Sequence, residues 1–171
     1  MTPENALFLR DTLLRQLTHE HGTTKRVIAA VPGEHSDYRP DPKAKTAFDL
    51  AWHIASAEMF FLTAVSAGGF DTPHPAKPEN VKSPADIANW YEEQFRVATG
   101  KIEALEAGQL QKILDFRGLF QSPAVFFLST GMCHSIHHRG ELATYLRPMG
   151  GKVPSIYGPS ADEQIQRPAT A

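Results

Sequence analysis

One short stretch carries the most chemical information: Cys133-His134-Ser135-Ile136-His137-His138-Arg139-Gly140-Glu141. If it is helical, His134 and His138 lie one turn apart on a single face, so their imidazoles can aim at a common point. Two helical histidines chelate zinc in this geometry in the HExxH enzymes, although that motif itself is absent here. His137 is rotated about 60° from His134 and about 100° from His138, in the same sense from both, toward a neighbouring helix or solvent. Two satisfied structural histidines are the plain alternative for such a pair.

A third histidine adds weight to the metal reading. His53 stands in Phe48-Asp49-Leu50-Ala51-Trp52-His53-Ile54-Ala55, where most of its neighbours are apolar, and Leu50, His53, Ala57 and Phe60 form one helical stripe. An imidazole there needs a hydrogen bond or a metal, because an unsatisfied polar group in a core is costly. Three neutral imidazoles would leave an open coordination position, the pattern of a catalytic zinc-type site. Proton competition by ordinary histidines would then weaken metal binding below about pH 6.5.

Nearby residues are weighed in the same way. Glu141 returns to the His134 face beyond His138, where it can hold a ligand imidazole, accept a proton, or pair with Arg139 or Arg147. Glu58 is about 140° round the helix from His53, which suits a solvated or interhelical charge. Cys133 reads as a small buried hydrophobe, with a Cys133–His137 nucleophile pair as the sharper alternative. Tyr145 reads as core. A di-iron carboxylate bundle is rejected, because no glutamate is followed by histidine three residues later.

The stretches Leu50-Ala51-Trp52-His53-Ile54 and His134-Ser135-Ile136-His137-His138-Arg139-Gly140-Glu141-Leu142, with the tail Val153-Pro154-Ser155-Ile156-Tyr157-Gly158, resemble the DinB-like metalloenzyme superfamily. The resemblance spans nearly the whole chain. It implies an all-α four-helix bundle in which His53, His134 and His138 ligate one divalent transition metal: nickel, zinc or iron. It implies a homodimer acting on a small-molecule substrate. Thiol-S-transferase chemistry with a low-molecular-weight thiol is the specific activity it suggests; Glu141, from its place on the His134 face, is the candidate catalytic residue. Relatives often carry glutamine at that place. The alternative function is a non-catalytic metal-binding stress-response protein.

Four helices must position these residues, expected at 3–30, 46–67, 83–106 and 123–147. Thr2-Pro3, Ser83-Pro84 and Ser122-Pro123 each place a capping hydroxyl before a proline suited to the first helical position. Thr46 with Asp49 resembles a capping box. Val31-Pro32-Gly33, Gly68-Gly69, Gly108 and Pro148 supply the stops. Ile87, Trp90, Tyr91, Phe95, Ala98, Ile102 and Leu105 give the third helix a period-3.6 apolar face. The connections 31–45 and 68–82 are long and proline-rich, and 109–121 holds a possible extended piece. Residues 1–171 read as a single domain, with a tail from about 164 expected to be mobile.

Composition excludes several other classes. Lys and Arg total 17 against 19 Asp and Glu, for a formal net charge of -2, and no basic stripe points to nucleic acid. One cysteine permits no intrachain disulfide. Neither a signal peptide nor a membrane span is expected, so a cytoplasmic location is the default.

Overall fold

The computed structural model describes residues 1–163. The tail expectation from about 164 lies outside the described residues. The chain is mostly helical: α1 (Pro3–Ala29), α2 (Ala47–Ala67), α3 (Pro84–Glu103), a short α4 (Ala107–Gln111) and α5 (Phe126–Leu146), with a small hairpin of β1 (Ile113–Asp115) and β2 (Gln121–Pro123) before α5.

Local chemistry starts the first three long helices where expected. The Thr2 hydroxyl accepts the Asn5 N–H at 3.2 Å, and Thr46 accepts that of Asp49 at 3.1 Å. Ser83 and Asp86 form a reciprocal capping box. Gly68 closes α2 in the left-handed region at φ 74°, where a Cβ would be strained.

The four long helices pack in a ring: α2 against α3 and α5, and α1 against the same two. α2 is apolar on nearly every side, with Leu50, Ala51, Ile54, Ala55, Leu62 and Ala64 buried completely. By length and composition it could cross a membrane, yet 72% of its most apolar window is buried inside the molecule. The expected α3 stripe is buried as well, save Trp90, which is partly buried and packs on Trp52 at 4.6 Å.

Two boundaries differ from expectation. α3 ends at Glu103, and the separate α4 follows, burying Leu110. The last long helix does not begin at Ser122-Pro123. Those residues belong to β2, where Ser122 pairs with Leu114. The cause is the turn between the strands. Asp115 Oδ1 accepts the Gly118 N–H at 2.5 Å, Asp115 Oδ2 accepts from Gln121 Nε2 at 2.9 Å, and Leu114 is buried. That register commits Ser122 to the ladder, and α5 begins after Val125 with no side-chain cap.

The proline-rich connections are tied down near α2. In the first, the carbonyls of Tyr38 and Ser36 accept the N–H groups of Ala47 and Phe48, each at 2.8 Å, satisfying donors that a helix start leaves open. The second is pinned by Phe70, which is buried among Phe60, Phe61, Phe116 and Phe127.

Candidate metal centre

His53 projects from the second turn of α2, and His134 and His138 project from the middle of α5. One ring nitrogen of each lies within 4.8 Å of those of the others. Ring centroids are 5.0 Å apart for His53–His134, 4.6 Å for His53–His138 and 4.6 Å for His134–His138. All three are partly buried, and no Cys, Asp or Glu joins the group among the described residues.

A glycine sets how closely the two helices approach. A Cβ on Gly131, one turn before His134, would lie 2.8 Å from Phe61 Cβ. Only a residue without a side chain lets α5 lie this close to α2. Phe61 in turn packs against the His134 ring at 6.1 Å.

Burial is the main force on the imidazoles. It pushes His53 down to about 4, helped by the neighbouring His138, His134, Lys45 and His74. His134 is lowered to about 4 by burial first, then by His138, His137 and His74. Both are therefore neutral at physiological pH, the form that binds metal. Their proton competition sets in well below the pH 6.5 of an ordinary histidine. His134 Nδ1 is buried without a hydrogen-bond partner. The donor set fits a divalent transition metal: neutral imidazoles, one of which has a buried nitrogen that nothing else satisfies.

Glu141 stands behind the cluster. Its Oε2 lies 2.9 Å from His138 Nδ1, and its Oε1 accepts the Tyr145 hydroxyl at 3.1 Å. Desolvation opposes the carboxylate, but hydrogen bonds from His138 and Tyr145 outweigh it and hold Glu141 below the usual range. With Nδ1 engaged, His138 has Nε2 left for a metal. Tyr145 is core, as expected, and its burial and Glu141 push its hydroxyl up to about 12.

The other weighed residues fall elsewhere. His137 is exposed, its ring 4.8 Å from His138, and it lies outside the group of three. Cys133 is exposed, not a buried hydrophobe. It shares the solvent face of α5 with Phe126, His137, Gly140 and Thr144. Glu58 is an interhelical group, buried rather than solvated, and accepts the Tyr91 hydroxyl at 2.8 Å. Burial raises its carboxyl to about 7 against the pull of Ser135, Tyr91 and Arg139; the Ser135 hydroxyl lies beside it outside good hydrogen-bond geometry.

Arg139, next to His138, has a role the residue pattern alone did not reveal. It is buried, and its guanidinium donates to Glu20 Oε2 at 2.6 Å, Thr24 Oγ1 at 3.2 Å and the Tyr157 hydroxyl at 2.6 Å. This network ties α5 to α1 and to the C-terminal segment. The only available signal was Arg-Gly directly after the second histidine.

The fold and site define a mostly helical protein with a three-histidine cluster, and comparison with known proteins gives its family. The sequence pattern of the DinB family matches residues 1–168, and the chain belongs to that family. It is 26% identical to the uncharacterized protein YjoA of Bacillus subtilis (strain 168) over 137 residues, covering 78% of this chain and 86% of the relative. It is 24% identical to uncharacterized YrdA of the same organism over 157 residues, covering 90% of each. The crystal structure of the DinB-like protein YjoA superposes with a TM-score of 0.71 at 22% identity, over 90% of this chain and 99% of that one. A DinB-like protein from Bacillus cereus ATCC 10987 gives 0.72 at 25% identity, over 86% of this chain and 97% of that one.

Proposed function

We propose that the ring of long helices is a four-helix bundle that holds one divalent transition metal through His53, His134 and His138, and that the protein is a thiol-handling metalloenzyme acting on a small molecule as a homodimer. The observation that carries this reading is a cluster of three imidazoles with no fourth protein ligand among the described residues. A structural site closes its shell with protein groups, whereas a catalytic one keeps a position open. Bound there, the metal would act as a Lewis acid that lowers the pKa of a thiol or water near neutral pH. The chain's own part is to present two imidazoles kept neutral by burial and a third oriented by Glu141. Glu141 is thereby a positioning residue, with proton acceptance a second role open to it. Nickel, zinc and iron all suit nitrogen donors of this kind.

The test loads the protein with each metal and follows transfer of a panel of low-molecular-weight thiols to an activated aryl chloride. Metal-dependent turnover that His134→Ala abolishes and Glu141→Gln reduces would support the reading. Stoichiometric metal without turnover on any thiol would leave a metal-binding protein and overturn the enzymatic part.

A further inference from the structure

The Arg117 guanidinium and the His74 imidazole, from different loops, each pack on one aromatic ring, Phe60. The Arg117 guanidinium carbon lies 4.8 Å from the Phe60 centroid. The His74 ring stacks on the same phenyl at 5.2 Å and 25°. Phe60 follows His53 by seven residues, on the same face of α2 and about 10 Å farther along the axis. His74 also lies close enough to the cluster to disfavour a proton on both His53 and His134.

The backbone holds Arg117 in place. It is the one non-glycine residue with positive φ among the described residues, at 53°, followed by Gly118 at 76°. Bulky side chains rarely adopt that region. Asp115, two residues before it, forms no ion pair with it; its carboxylate accepts the Gly118 N–H and Gln121 Nε2 instead. Among the described residues, Arg117 makes no hydrogen bond or ion pair, which leaves the five donors of its planar fork unpaired. The Phe60 face restrains the guanidinium without consuming those donors.

We propose that Arg117, with His74 on the same ring, forms an anion subsite at Phe60, two helical turns along α2 from His53, that takes the carboxylate of the thiol substrate. This rests on the thiol-handling reading above. A guanidinium receives a carboxylate through two parallel charge-assisted hydrogen bonds, so the subsite selects acids of matching length over neutral thiols.

The test uses cobalt-loaded protein with 8-mercaptooctanoate and 8-mercaptooctan-1-ol, which match in length and differ in the carboxylate. Calorimetry of the wild type should show the acid binding about tenfold more tightly, the range of a hydrogen bond to a charged group. Arg117→Gln should bring the two to parity, and Arg117→Lys should restore part of the preference. Equal affinities in the wild type, or a preference that survives Arg117→Gln, overturn the subsite. Sulfur-to-cobalt charge-transfer absorption separately reads whether sulfur reaches the metal. Its absence with both thiols overturns the thiol reading, while an acid preference lost in Arg117→Gln would still establish the anion site.

Discussion

Gly131 and Gly140 lie on the same helix, and the same substitution should act on them in opposite directions. An alanine at Gly131 would place its Cβ 2.8 Å from Phe61 Cβ, 3.2 Å from Cγ and 3.3 Å from Cδ2. Phe61 cannot easily yield: it is buried against Phe70, Phe116 and His134. Overpacking of this kind costs about 1–3 kcal/mol, set against a helix-propensity gain of up to about 1 kcal/mol. Gly140 is exposed with nothing within 4 Å of its added Cβ, so only the gain applies there. The two variants should therefore differ by about 2 kcal/mol, or roughly 6 °C in melting temperature for a domain of this size. Thermal denaturation followed by circular dichroism on metal-free protein measures this. Metal titration should then show weaker binding for Gly131→Ala alone, because the displaced α5 carries His134 and His138. Equal shifts of the same sign for both variants would refute the close approach of α5 to α2.

Two further outcomes concern the buried charges. Glu58 titrates at about 7 in the folded state against 4.5 ordinarily, so the folded state retains a proton that the unfolded chain releases between those values. Its contribution is thus present below pH 4.5 and lost as pH rises through 7, and Glu58→Gln should gain on the wild type by up to about 3 kcal/mol between pH 5 and pH 8 in urea unfolding. A pH-independent difference would show that the Glu58 carboxyl is not raised. Arg139→Met should lose about 3 kcal/mol, since it leaves Glu20 with its charge partner removed; a melting temperature equal to that of the wild type would show the network to be inert.

The features readable in the sequence were those set by chemistry within one helical turn. Thr2, Thr46 and Ser83 cap their helices because a hydroxyl needs only the N–H three residues ahead. His134 and His138 share a face by spacing alone, and the apolar surroundings of His53 marked it as unusual. Ser122 failed as a cap because a strand partner at Leu114, set by the intervening turn, took precedence over local preference. Cys133 was misplaced because nothing within one turn of the sequence tells which side of α5 faces water. The burial of Glu58 depends on Tyr91, 33 positions away. The meeting of His74 and Arg117 at Phe60 depends on an aromatic cluster assembled from three separate segments.

The central claim is that three particular imidazoles hold the metal, and titration calorimetry with nickel and zinc on protein purified without an affinity tag tests it most directly. One metal should bind per chain. Alanine at His53, His134 or His138 should each abolish tight binding, whereas His137→Ala should leave it unchanged, because that ring stands outside the cluster on the solvent face. Equal loss from His137→Ala, or tight binding that survives replacement of all three cluster histidines, would contradict the account.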